Sequence, residues 1–273
     1  MTLSVRLVRG IGGLAAALAA LAGIVAIGGT LLLFGLVRGL PNIPEPLQRI
    51  IETPPTEIYA ANGERLLQIG GRDYVPLHQI APIFMQAILA TEDHRFWDHH
   101  GINKLRTLKA FWVTISGDRR QGASTITQQL AKNLFFSFEQ TLTRKLKELL
   151  VALQIESQFS KQEILEAYLN QIYFGPRAQG VAQAAHDFFD KSAAQLDLAE
   201  SALLAGLLKS PTRYNPLRHI ERAKGRQRVV LDRMVTAGFI TAEEAATAEA
   251  KPLVFRKKGS NSPMGDYFVD WVL

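Results

Sequence analysis

The sequence predicts a mainly α fold carried on one N-terminal transmembrane helix, with a short β hairpin between the two. Three observations predict it. From Gly10 to Val37 no residue is charged, a run longer than the about 20 apolar residues that a helix needs to cross a bilayer. Asn62-Gly63 lies between two β-capable runs, the pairing that marks a hairpin turn. From Pro82 onward, apolar residues recur at helical spacing and helix-start signals recur with them. The 273 residues suffice for a buried core, and 47% hydrophobic with 21% charged residues excludes a wholly disordered or collagen-like chain. The absence of cysteine excludes disulfide scaffolds, Cys-ligated zinc, iron–sulfur clusters and thiol catalysis.

The anchor comes first. Arg6 and Arg9 precede the uncharged run and Arg38 follows it. Positive charge before the span favours a cytoplasmic N-terminus, which leaves everything after Arg38 outside. A cleaved signal peptide is the alternative, but its apolar region covers only about 7–15 residues. The three arginines, with no acid among residues 1–38, supply half of the net charge of +6. The basic excess is therefore largely topological, and nucleic acid is not expected as a partner.

Pro41, Pro44 and Pro46 mark a stiff exit from the membrane, and the hairpin follows over Thr56–Leu67. Capping boxes open several helices: Thr125 with Gln128, Ser160 with Glu163, Thr241 with Glu244, and the variant Asp197 with Glu200. Leu142, Leu146, Leu149, Leu150 and Leu153 form one apolar stripe with the spacing of a packing face, and Ile164, Leu165, Tyr168 and Leu169 form another. Ser210-Pro211 and Asn215-Pro216 break the chain before a basic helix from about Ile220 to Thr236. Leu105–Ser116 mixes aromatics with basic residues and suits either a membrane interface or a core.

Four stretches are more polar than packing requires. Glu92 and Asp93 follow the apolar helix Ile83–Ala90, so they fall at its C-terminal end, where acids oppose the helix dipole. Such a misfit marks functional sites, although an exposed acidic turn gives the same pattern. His94, His99 and His100 lack a standard zinc spacing. In Gly122–Asn133, a helix from Thr125 puts Ile126, Leu130 and Leu134 on one face and Gln128 and Lys132 on the other. A glycine-led helix start with hydroxyls and a lysine suits a phosphate or sugar, and equally a well-capped surface helix. Glu148 follows Arg144 by four residues and Lys145 by three, opposite the leucine stripe. This is either an ordinary ion pair worth a few tenths of a kcal/mol or a carboxylate held among cations beside an anionic substrate. In Glu166–Gly175 the aromatics and Asn170 look mainly structural.

Taken together and in this order, these stretches resemble glycosyltransferase family 51, the peptidoglycan glycosyltransferase module of class A penicillin-binding proteins and of monofunctional transglycosylases. The matches are Glu92-Asp93-x-x-Phe96-x-x-His99-x-Gly101, Gly122-x-Ser124-Thr125-Ile126-Thr127-Gln128-Gln129 and Arg144-Lys145-x-x-Glu148. Ile164-Leu165-Glu166-x-Tyr168-Leu169-Asn170, Arg177-Ala178-x-Gly180-Val181-x-x-Ala184-Ala185 and Ala205-Gly206-Leu207-x-x-Ser210-Pro211-x-x-Tyr214-Asn215-Pro216 extend it over about Thr56 to Thr241. The chain departs from the family at Gln140, where an arginine is frequent, at Gln179, where an aromatic is frequent, and at Asp190, where glycine is common.

The resemblance implies a lysozyme-like helical lobe with a smaller membrane-proximal jaw lobe beginning near Leu105. It also implies polymerisation of lipid II into glycan strands: the 4-hydroxyl of one lipid-linked disaccharide attacks the anomeric carbon of the growing strand, with inversion and loss of undecaprenyl pyrophosphate. By family position Glu92 is the base and Glu148 the second catalytic carboxylate. Lys132 and Arg144 face the pyrophosphate, and Ser124, Thr125, Gln128 and Gln129 line the donor side. Asp93, His99, Lys145 and Asn170 complete the expected substrate contacts. A divalent cation, Mg²⁺ or Mn²⁺, held by Glu148 would suit a pyrophosphate. Expected partners are lipid II with the growing strand, membrane lipids and other cell-wall synthesis proteins, at the bacterial inner membrane with the catalytic domain on its outer face. The expected layout is a cytoplasmic segment 1–9, the membrane helix 10–37, linker and hairpin 38–80, the glycosyltransferase domain 81–245 and a linker 246–273. The tail Gly265–Leu273 resembles the entry to a transpeptidase domain, whose Ser-x-x-Lys and Lys-Thr-Gly motifs are absent. A lysozyme-like lytic enzyme and a non-catalytic lipid II-binding scaffold are the alternatives.

Overall fold

The computed structural model describes residues 20–31, 34–52, 56–63, 65–69, 74–102, 124–136, 141–175 and 178–256. The expected interfacial segment Leu105–Ser116 with its jaw lobe, Gln140, Arg6, Arg9 and the tail Gly265–Leu273 lie outside the described residues.

Helix α1 (Ala20–Arg38) is long and apolar enough to span a membrane and is almost wholly exposed. Leu21, Ile24, Val25, Ile27, Leu31, Phe34 and Val37 are exposed and Leu36 is buried, a surface consistent with a membrane-spanning helix. A four-residue helix α2 (Gln48–Ile51) follows, burying Ile51. The hairpin is present as β1 (Thr56–Tyr59) antiparallel to β2 (Arg65–Ile69), with Thr56 opposite Ile69. Gly63 takes φ +82° in its turn, as the Asn-Gly signal requires.

The remainder is helical: α3 (Pro82–Glu92), α4 (Ile126–Phe135), α5 (Leu142–Gln158), α6 (Lys161–Gln171), α7 (Val181–Phe189), α8 (Leu198–Leu207), α9 (Ile220–Thr236) and α10 (Ala242–Ala250). The mainly α expectation holds, with one addition. A second two-stranded ribbon, β3 (Tyr173–Gly175) with β4 (Ala178–Gln179), joins α6 to α7. Two and three residues are too few to show an alternating pattern in sequence.

α8 is the hub. Its residues from Ala199 to Leu207 are all buried, and it packs on α3 and α9, as a helix apolar on every side must. α4 lies across α5 and α6. The boxes at Ser160, Asp197 and Thr241 are complete, with each side chain bonded reciprocally. The one at Thr125 is half formed. Its hydroxyl accepts from Gln128 N, but the Gln128 amide turns away to donate to Gly101 O at 3.4 Å.

The leucine stripe of α5 is the main correction. Leu146 and Leu153 are exposed, and the buried face carries Glu148, Val151, Ala152 and Ile155. The helix is rotated so that a glutamate points inward while leucines point out. The inward face still buries Val151, Ala152 and Ile155, with Leu149 and Leu150 half-buried beside them.

Residues 74–80 are stitched to α6. Tyr74 Oη donates to Glu166 Oε1 and Leu77 N to Glu166 Oε2, both at 2.6 Å. Val75 N donates to Asn170 Oδ1 at 2.8 Å, while Asn170 Nδ2 donates to Val75 O and Glu166 O at 2.9 Å.

Candidate functional site

The site grows from the two ends of α4. At its start, Thr125 caps the helix and donates its own hydroxyl to Gly101 O at 2.7 Å. Asp93 is buried, and its Oδ2 accepts from Ile126 N at 3.2 Å and lies 2.9 Å from His99 Nε2. A carboxylate at a helix start answers both the orphan N–H groups and the dipole. Asp93, His99, Thr125 and Gln128 therefore bind the loop after α3 to the start of α4. Gly101 completes this knot at φ +73°, with the space for a Cβ only 3.2 Å from Ala152 O and from the Glu156 side chain. Only glycine fits both conditions.

One flank of α4 faces Glu92, the last residue of α3, which is half-buried. Gln129 Nε2 donates to Glu92 Oε2 at 2.8 Å, and Gln129 Oε1 accepts from the Tyr168 hydroxyl at 3.1 Å. The phenol, which can only donate usefully to the amide oxygen, fixes which way the amide points. Tyr168 is fully buried, and burial, with Glu92 and Asp93 adding to it, pushes its phenol up, so it stays a donor. One Glu92 oxygen is thus held by a neutral hydrogen-bonded chain from Tyr168 through Gln129.

The other flank faces α5. Lys145 Nζ donates to Ser124 Oγ and to Glu148 Oε2, each at 3.0 Å, and Arg144 Nη1 donates to Glu148 Oε1. Glu148 is buried at 1% exposure, whereas the Lys145 side chain is 49% exposed. Burial, then Arg144 and Lys132, lower the Lys145 ammonium from its usual range. Lys132 is exposed beside them. Two cations thus hold one buried carboxylate and Lys132 adds a third positive charge near Lys145, leaving net positive charge open to solvent, the condition for binding a phosphorylated ligand.

Asn170, expected at the substrate, is 2% exposed with both ends of its amide on the chain's own backbone. The divalent-cation expectation meets a poor donor set. Both Glu148 oxygens face cations, and among the described residues no group of three His, Asp or Glu could hold a metal. That arrangement suits an anion. Sequence reading missed the Tyr168 link and the Arg233 Nη1 that donates to Thr91 O at 2.9 Å across 142 positions. No local signal announces contacts at that separation. Asp190 adopts φ 56° at the end of α7, which explains why glycine is common there.

The sequence matches the transglycosylase family over residues 62–235. Penicillin-binding protein 1A of Aquifex aeolicus is 45% identical over 246 residues, covering 88% of this chain and 34% of its own length. That of Escherichia coli K12 is 46% identical over 218 residues, covering 78% and 26%. The crystal structure of penicillin-binding protein 1A from Haemophilus influenzae aligns with 81% of this chain and 23% of its own, at 29% identity and a TM-score of 0.47. The chain spans about a third or less of the length of these relatives.

Proposed function

The chain belongs to the transglycosylase family, and from that premise we propose that it is a membrane-anchored peptidoglycan glycosyltransferase that polymerises lipid II. The observation that carries this reading is the pairing across α4: a half-buried glutamate on a neutral amide chain on one flank, and a cluster of three cations on the other. Glu92 takes the proton of the acceptor's 4-hydroxyl as that oxygen attacks the anomeric carbon of the strand. The C–O bond to undecaprenyl pyrophosphate breaks with inversion. Lys132, Arg144 and Lys145 stabilise the charge that develops on the departing pyrophosphate, and Glu148 holds Arg144 and Lys145 in place. Ser124, by accepting from Lys145, fixes that ammonium toward the start of α4.

A lytic enzyme has no pyrophosphate to bind and no use for the cation cluster. The α1 helix anchors the chain in the inner membrane with the domain on the outer face, where lipid II is the substrate and the membrane surface the setting. Cell-wall synthesis proteins are the expected further partners.

Labelled lipid II incubated with the purified chain in detergent tests the reading. Long glycan strands are the expected product, lost in Glu92→Gln while lipid II binding is retained. Binding without polymer from the wild-type chain would overturn it in favour of a scaffold.

A further inference from the structure

Outside the N-terminus the basic excess is concentrated. Residues 209–236 hold eight lysines and arginines against two acids, a net +6 that equals the charge of the whole chain. The chemistry above uses none of them. On α9 these charges sort by side. At about 100° per residue, Arg222, Arg226 and Arg233 fall within about 40° of one another, while Lys224, Arg228 and both acids, Glu221 and Asp232, lie about 100° or more away. The far flank answers its charges locally, since Arg228 Nε donates to Glu249 Oε1 of α10 at 2.7 Å. The near flank has no acid of its own. Arg222 is exposed, and among the described residues neither it nor Arg226 pairs with a carboxylate. They stand at i,i+4, where like charges destabilise a helix.

The neighbours of this flank fix where it lies. A Cβ added at Gly206, near the end of α8, would come within 3.0 Å of Arg226 Cγ, and the buried Nε of Arg226 has no hydrogen-bond partner. Arg233 Nη1 donates to Thr91 O, the carbonyl one residue before Glu92, at 2.9 Å. The three guanidinium groups therefore form a row on the α3 and α8 side of α9, starting one residue from the proposed base and running about 16 Å along the helix. A row of cations without acids complements an anionic partner. The row is not on the elements that seat the anchor. The chain leaving α1 rests on α5, where Gly39 meets Lys147, and on α6 through α2, whereas α9 packs on α3, α8 and α10. The phosphates of a lipid-linked sugar stay at the membrane surface, but the peptide on that sugar carries free carboxylates beyond it.

We infer that Arg222, Arg226 and Arg233 form a docking rail for the acidic peptide of the acceptor lipid II. The inference rests on the proposed polymerisation of lipid II, in which Glu92 takes the proton of that same molecule's 4-hydroxyl. Each guanidinium offers paired donors to a carboxylate, so a peptide held on the row keeps its sugar close to Glu92.

Equilibrium binding of fluorescent lipid II to the full chain in detergent, with KM for its polymerisation, tests the rail. Arg222→Glu reverses an exposed charge of the row and is expected to weaken both about five-fold, with kcat and melting temperature unchanged, while Arg222→Lys restores them. Lys224→Glu makes the same charge change on the far flank and leaves both within about two-fold. With lipid II whose peptide carboxylates are converted to amides, wild-type binding weakens and Arg222→Glu adds no further loss. Unchanged binding in Arg222→Glu, or an equal loss in Lys224→Glu, overturns the inference. So does a loss that persists on the amidated substrate, which would assign the row to phosphate. A wild-type chain that binds lipid II but makes no polymer defeats the proposed function alone, because the binding comparison still reads the rail.

Discussion

Glu92 and Glu148 are both glutamates of α-helices that touch α4, yet their surroundings are opposite. Glu92 ends its helix, is half-buried, and has a neutral amide as its bonded neighbour. Glu148 lies within its helix, is buried, and is held by an arginine and a lysine. A buried carboxylate with a cation on each oxygen is charge-compensated and serves by holding those cations. The same side chain does two jobs, and its neighbours decide which.

That contrast can be broken in order of expected effect. Glu92→Gln keeps the shape and removes the base, and turnover should fall about a thousand-fold, equivalent to ~4 kcal/mol of transition-state stabilisation, with the melting temperature unchanged. Arg144→Ala leaves Glu148 buried with one cation fewer and should cost about 3 kcal/mol of folding stability, read by denaturant titration. Lys132→Ala should leave stability within about 0.5 kcal/mol and weaken pyrophosphate affinity about ten-fold, read by inhibition with pyrophosphate. The smallest effect is one of pH. Because the Lys145 ammonium is lowered by burial and by Arg144 and Lys132, it loses its proton at a lower pH than a free lysine does. Donor affinity, measured as KM, should therefore weaken on the alkaline side earlier in wild type than in Lys145→Arg.

What the sequence made legible was local. The caps at Ser160, Asp197 and Thr241, the hairpin around Gly63 and the span Ile220–Thr236 depend on residues a few positions apart. The leucine stripe of α5 misled because amphipathic spacing shows that two faces differ, not which one turns inward. Here the face of Glu148, Val151, Ala152 and Ile155 turned inward, with Leu146 and Leu153 outside. The structure brings Glu92, Ser124, Gln129, Lys145 and Glu148 together at α4 from separate stretches, and how they sort among themselves was not readable in the sequence. That Gln129 belongs to Glu92, and Gln128 to Gly101, depends on how a loop folds back over α4.

The seam between residues 74–80 and α6 has a practical consequence for anyone trimming this protein to a soluble piece. Tyr74 and Leu77 donate to the two oxygens of Glu166, and Val75 bonds the amide of Asn170 at both ends. A version starting at Pro82 would keep every residue of the cleft and still strip the outer wall from α6, baring acceptors that cost about 1–3 kcal/mol each if left dry. The Tyr168 link to Gln129 runs through that same helix. The safe cut therefore lies before Tyr74, on the membrane side of the seam.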